Sequence, residues 1–179
     1  MSQWLNVKPF NKELQALAAD FCSGNSYLDQ FLASPHALDP NYGKTYVLLT
    51  EQDEIIIGYY NLGMGYIEER MDASRVKLGG AVHINGFAVD TRYQDLLREE
   101  MPDGSKLYLA DLLLLECIER IEMIREKHIG CCFITLCATE AGYRLYWRHG
   151  FETIDDEMWF STESEGVPFA SMYYAIETE

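Results

Sequence analysis

Apolar and polar positions recur along this chain with periods that sort it into strands and helices. Residues Leu5 to Phe10 read as a short edge strand. Asn11 is placed to cap a helix reaching about Cys22, with Leu14, Leu17, Ala18 and Phe21 on one side. The Ser23-Gly24-Asn25 turn leads into a second short helix, on which Tyr27, Leu28, Phe31 and Leu32 have helical spacing and which Pro35 and Pro40 end. Thr45 to Thr50 and Ile55 to about Ile67 read as a hairpin around the polar turn Glu51 to Glu54. Glu68 to Gly80, charged and ending in two glycines, reads as a loop. The centre of the pattern is Ala81 to Arg125. A strand, Ala81 to Asp90, passes through a polar, Gly-containing connection into a long helix whose Ala110, Leu113, Leu114, Cys117, Ile121 and Ile124 share one face. Cys131 to Cys137 is continuously apolar, as in a strand buried on both faces. Thr139 to His149 reads as a helix closed by Gly150. Phe151 to Phe160 and Phe169 to Ile176 read as strands around a polar turn, Ser161 to Gly166.

This order, ββ, β–α, β–α, ββ, predicts an α/β fold. It has one mixed sheet with parallel strands in its middle, antiparallel pairs at its ends and helices flanking it. With 179 residues, 48% apolar and 24% charged, the chain is expected to be a single domain, residues 1–179, with its own core. No apolar run approaches the ~18–20 residues of a membrane helix, and Met-Ser-Gln-Trp-Leu-Asn has none of the pattern of a secretory signal, so the expected location is the cytoplasm. The five cysteines, Cys22, Cys117, Cys131, Cys132 and Cys137, form no metal-ligand spacing, and reduced, buried thiols are expected with no metal. A formal net charge of −15 repels phosphates and anionic membranes, which counts against nucleic acid and membrane partners and favours cationic or neutral ones.

Three local motifs lie in the order and spacing of a known family. Phe87-Ala-Val-Asp-Thr-Arg-Tyr-Gln94 resembles L-A-V-D-x-x-Y-Q at the end of a fourth strand. Tyr146-Trp-Arg-His-Gly150-Phe151 resembles Y-x-x-x-G-F, which closes the helix after the fifth. Phe21 to Leu32, with Ile57-Gly58-Tyr59-Tyr60 further on, is similar to a branch that includes toxin-type enzymes. On these motifs the chain resembles the GNAT superfamily of acyl-CoA-dependent N-acetyltransferases. The resemblance departs at one place. Residues Asp95 to Ala110 carry about ten more than the family's short pyrophosphate loop, and only one glycine.

The resemblance implies acetyl-CoA as co-substrate, its arm paired with the backbone of Phe87, Ala88 and Val89, whose N–H groups also polarise the thioester carbonyl. Tyr146 falls on the family's tyrosine, a general acid for the departing thiolate, as suits a phenol of pKa about 10; a core tyrosine is the alternative. Thr139 stands where the family often has a cofactor-contacting Asn. In the lengthened loop, Gly104, Ser105 and Lys106 are candidates to rebuild the phosphate site, Ser105 as a helix cap and Lys106 as counter-charge, while Glu99, Glu100 and Asp103 oppose an anion. His83 is the candidate base, on one strand face with Asn85 and Phe87, with a structural histidine as the alternative.

The leading expectation is an acyltransferase that moves acetyl from acetyl-CoA directly to a primary amine of a cationic small molecule or peptide. Two alternatives stand beside it: a GNAT-fold binding module without catalysis, and a toxin-type aminoacyl-tRNA acetyltransferase. A homodimer is compatible with all three.

Overall fold

Strand β1 (Val7–Pro9) is the first of ten strands among the described residues, which alternate with short 3-10 turns and three α-helices. The structure is a computed structural model and describes residues 5–72, 74–154, 158–160 and 170–177, with side chains at all of these except 158–160. It divides into two compact units, each made of two stretches of chain: Met1–Leu62 with Asn85–Glu119, and Gly63–Ile84 with Arg120–Glu179.

In the first unit, β1 is followed by a 3-10 run (Gln15–Asp20), helix α1 (Ser26–Ala33) and 3-10 turns at Pro35–Leu38 and Pro40–Tyr42. Then come β2 (Lys44–Leu49), β3 (Ile56–Met71) and β4 (Ser74–Val89), the last two shared with the second unit. The hydrogen-bonded order is β1-β2-β3-β4, antiparallel from β1 to β3. Asn11 Oδ1 accepts the N–H groups of Glu13 and Leu14, which closes a turn and not a helix: a 3-10 run with Leu14 as its N-cap follows instead of the α-helix expected to Cys22. Leu14 and Leu17, three apart, lie above one another on such a turn. Strand alternation then splits the unit's core. On one face Val47, Leu49 and Tyr59 pack with Phe21, Phe31 and Leu32. On the other, Gly58 sits against helix α2 (Leu109–Lys127), where an added Cβ would meet Leu113 at 2.9 Å. A bulge between Leu48 and Leu49 brings Ile56 to the first face as well.

The chain between Asp90 and α2 is not an open loop. β5 (Leu97–Glu100) and β6 (Lys106–Tyr108) form a separate antiparallel hairpin, exposed along β5 and closed by a turn with Gly104 at φ 83°. Leu109, Leu113, Leu114 and Cys117 of α2 are buried in this unit, and so are two acids the helix pattern did not flag, Asp111 and Glu116. Glu116 accepts the hydroxyl of buried Tyr60 at 2.6 Å.

In the second unit, the rest of β3 and β4 joins β7 (Phe133–Ala138), β8 (Glu152–Thr153), β9 (Met158–Phe160) and β10 (Ala170–Ala175), with helix α3 (Glu140–Arg148) after β7. The order is β3-β4-β7-β10-β8, with β9 on β3. β4 and β7 are parallel and β10 is antiparallel to both its neighbours, as the order of elements implies. The stretch 68–80, expected as a loop, is strand on both sides of a turn at Asp72. Its charges sit on an exposed ribbon where Lys77 lies over the Tyr66 ring at 5.0 Å, so polarity there reflects exposure rather than irregular backbone. The strand expected over 151–160 is two short pieces. The expected turn at 161–166 and Phe169 lie outside the described residues. Ile134, Leu136, Ala138, Met172 and Phe151 are buried here.

Of the cysteines expected to be buried, Cys117 and Cys131 are, while Cys22 and Cys132 are exposed and Cys137 is half-buried. Cys22 contributes its backbone instead of its thiol, and Cys132 lies beside Gly79, where any Cβ would come within 2.9 Å of its Sγ. Among the described residues, no helix is long and apolar enough to cross a membrane.

Candidate active site

The end of β4 is held by the residues of the A-V-D-x-x-Y-Q motif. Ala88 and Val89 are buried and Phe87 is half-buried. Gly58 admits this strand, since a Cβ there would stand 2.9 Å from the Ala88 carbonyl oxygen. Gln94 donates through Nε2 to the carbonyls of Val89 and Ser23, at 2.9 and 2.8 Å. Asp90 is fully buried and takes a two-pronged bond from Arg92, Nε to Oδ1 and Nη2 to Oδ2, both at 2.8 Å. Its Oδ2 also accepts the Cys22 N–H at 3.1 Å. Burial pushes the Asp90 carboxyl up, but the bonds from Arg92 and the Cys22 N–H outweigh it and hold the group below the usual carboxylate range. The motif therefore locks the exit of β4 to the turn between the 3-10 run and α1. The parallel ladder of β4 with β7 runs from Ala81 opposite Phe133 to Ile84 opposite Leu136, and β4 continues for five residues more.

Gly104, Ser105 and Lys106 lie on the hairpin. Gly104 supplies the left-handed turn, and Ser105 bonds Asp103 Oδ1 through both its N–H and its hydroxyl. Those bonds lower the Asp103 carboxyl below its ordinary range. Ser105 is not the helix cap expected of it. α2 opens at Leu109, and Asp111 Oδ2 accepts the Tyr108 N–H at 2.8 Å there, an acid in the first turn where the helix end favours negative charge. Lys106 is exposed and stands opposite Glu100 in the hairpin register.

His83, Thr139 and Tyr146 belong to the second unit. His83 is 5% exposed, and its Nδ1 lies 2.8 Å from Thr135 Oγ1. Burial lowers its pKa to about 4, so the imidazole is neutral at physiological pH. Thr139 is the N-cap of α3, its Oγ1 accepting the Gly142 N–H at 3.3 Å. Tyr146 is buried one turn after Gly142, and a Cβ on Gly142 would come within 3.2 Å of its ring. The rest of the Y-x-x-x-G-F signature is a helix ending. Phe151 N–H bonds the Tyr146 carbonyl at 3.1 Å and Gly150 N–H bonds that of Trp147 at 3.2 Å, with Gly150 at φ 86°. This is the paired bonding that a left-handed glycine permits, and its usual apolar contact is present as the edge-on packing of Phe151 against the Tyr146 ring at 5.8 Å. The exposed side of α3 carries Arg144, Trp147 and Arg148, with Trp147 65% exposed.

Within the first unit, then, Phe87, Ala88 and Val89 close β4, and Gly104, Ser105 and Lys106 lie on the β5–β6 hairpin. Within the second, it brings Thr139 and Tyr146 together on α3, while His83 is bound to β7. The chain of hydrogen-bonded amides Asn61 and Asn85 in the first unit went unread in the sequence. The only signal was Asn61 itself, a polar side chain inside the apolar run Ile55 to Ile67.

No protein-family model and no curated protein sequence matches the chain. Solved structures do. A Tyr-to-Phe variant of KacT is 16% identical, with 97% of this chain and 95% of that one covered at a TM-score of 0.69. AtaTR bound with acetyl-CoA is 16% identical, with 96% and 93% covered and a TM-score of 0.69. AtaT complexed with acetyl-methionyl-tRNAfMet is 16% identical, with 96% and 94% covered and a TM-score of 0.66. At such identity the likeness is one of fold, and the GNAT-type α/β architecture implied by the motifs is the architecture of this chain.

Proposed function

We propose that the chain is an N-acetyltransferase that uses acetyl-CoA and acetylates the α-amine of an aminoacyl-tRNA. The observation that supports this most is the likeness over nearly the whole chain to proteins solved with acetyl-CoA and with an acetylated aminoacyl-tRNA. Acetyl-CoA, when bound, supplies a thioester whose acyl carbon forms the new C–N bond as the C–S bond breaks.

The chain's residues have these roles in the proposal. Phe87, Ala88 and Val89, at the end of β4 and beyond its ladder with β7, take the acyl arm along their backbone. Lys106 gives the phosphates a cation, three residues ahead of α2. The Tyr146 hydroxyl gives its proton to the departing sulfur, and no acyl-enzyme forms. His83 is poorly suited to take the acceptor's proton, because burial holds its pKa near 4. This favours an acceptor that needs little help. An α-amine has a pKa of about 8, against about 10.4 for a lysine-type amine, so a far larger fraction is already neutral at pH 7. That is the physical reason for preferring aminoacyl-tRNA to a cationic small molecule.

The net charge of −15 does not decide against RNA. Exposed charges are screened over about 8 Å at physiological salt, so a phosphate senses the local surface. The exposed face of α3 carries Arg144, Arg148 and Trp147 with Glu140 one turn before them, two cations to one acid beside an aromatic ring, a combination that contacts RNA backbone and base.

The test is transfer of labelled acetyl to charged and uncharged tRNA. Acetylation is expected on aminoacyl-tRNA and to vanish when the ester is first hydrolysed. Labelling of polyamines or peptides, with none on aminoacyl-tRNA, overturns the acceptor.

A second reading is favoured by the hairpin. Glu99, Glu100 and Asp103 surround its turn, and an acid already occupies the first turn of α2. If these exclude a nucleotide, the chain is a GNAT-fold binding module without catalysis.

A further inference from the structure

Asn61 of β3 is fully buried, and a buried amide is costly unless its hydrogen bonds are made. Its bonds form a directed chain. The Ala37 carbonyl can only accept, so Thr45 Oγ1 donates to it at 2.7 Å. Thr45 therefore accepts from Asn61 Nδ2, at 2.9 Å. That turns Asn61 Oδ1 toward Asn85, and only the Nδ2 of Asn85 can donate to it, at 2.6 Å. Both amides are thus fixed in orientation. The outcome is at the exposed end of the chain: Asn85 Oδ1, which receives no hydrogen bond among the described residues, is held outward from β4 two residues before Phe87.

A flat surface stands beside it. Gly43, at φ 96°, passes so close that a Cβ would lie 2.5 Å from Asn61 Oδ1 and 2.9 Å from Asn85 Nδ2. Only glycine brings the backbone there. The preceding Tyr42 has its carbonyl 3.5 Å from Asn85 Nδ2, and its ring, 48% exposed, stacks on exposed His36 with centroids 4.1 Å apart and planes at 19°. A fixed carbonyl acceptor next to an exposed π-face suits a ligand that joins an N–H donor to a planar ring.

We infer that this is the acceptor subsite. Asn85 Oδ1 receives an N–H of the amine to be acetylated, and the His36–Tyr42 stack takes the adenine of the terminal adenosine that carries the aminoacyl ester. The inference rests on the acceptor class proposed above and adds the residues that recognise it. An amide oxygen cannot remove the amine's proton. It orients a neutral amine by one N–H and leaves the lone pair for attack.

Asn85→Ala and Tyr42→Ala, both at exposed positions, test it by steady-state kinetics with aminoacyl-tRNA. Acetyl-CoA affinity is measured alongside, and so is binding of a hydrolysis-resistant 3′-aminoacylamino-adenosine. Each variant is expected to raise KM for aminoacyl-tRNA about tenfold and weaken the adenosine probe about equally, with acetyl-CoA affinity within twofold of the parent. Tyr42→Phe should recover most of what Tyr42→Ala loses. If the parent acetylates aminoacyl-tRNA and both Ala variants keep its KM within twofold, the subsite is wrong and the acceptor class stands. If the parent acetylates no aminoacyl-tRNA yet binds the probe through Asn85 and Tyr42, the subsite stands and the acceptor class falls. No acetylation of aminoacyl-tRNA together with no binding of the probe overturns both.

Discussion

Tyr146→Phe should lower acetyl transfer by about 10²–10⁴-fold, the usual loss when a positioned general acid is removed. The fold should hardly change. The aromatic ring fills the space left by Gly142 and meets Phe151, and both contacts survive without the hydroxyl. The proton is needed only as the C–S bond breaks, so the loss belongs in kcat, with acetyl-CoA affinity unchanged. Single-turnover rates with aminoacyl-tRNA, next to a melting curve for each protein, provide the measurement. A variant that melts like the parent and transfers at the parent's rate makes Tyr146 a core residue and nothing more.

The second large effect is on stability. Unfolded, His83 takes up a proton near pH 6.5; folded, it resists until about pH 4 because burial disfavours the charged ring. Between those values the unfolded chain binds more protons, so stability falls as pH falls, by up to about 3 kcal/mol across the window from this one group. Asp90 acts lower down. Its folded carboxyl is held below the unfolded value of 3.8, so its stabilisation is complete above that pH and is lost as pH drops through the folded value. Urea midpoints should hold level from pH 7.5 to about 6.5 and decline from there to pH 4.5, and His83→Gln should flatten that decline. A His83→Gln profile parallel to the parent's would show that the histidine is not the group responsible.

The parts legible in the sequence are those set by local backbone chemistry. Tyr146, Gly150 and Phe151 could be read as a helix ending because the bonds they make are within six residues of one another. The strand end at Asp90 was legible for a related reason, since Arg92 and Gln94 reach back only a few positions. The hairpin of β5 and β6 was not, because Arg98, Glu99 and Glu100 are solvated on every side and show no alternation. The extension of β3 and β4 through residues 68–80 was hidden for the same reason. His83 was placed on the right strand, but its burial follows from the register of β4 on β7, which puts it opposite Thr135. Asn61 and Asn85 are 24 positions apart, and only the sheet brings their amides together.

Catalysis by this fold requires that it take up an acyl-CoA despite the hairpin between Asp90 and α2. Calorimetric titration of the full chain with acetyl-CoA reads this out. Saturable binding of one acetyl-CoA per chain is expected, weakened when Lys106 is replaced by Glu. No heat of binding at millimolar acetyl-CoA would overturn acyl-CoA use and leave the non-catalytic module as the better description.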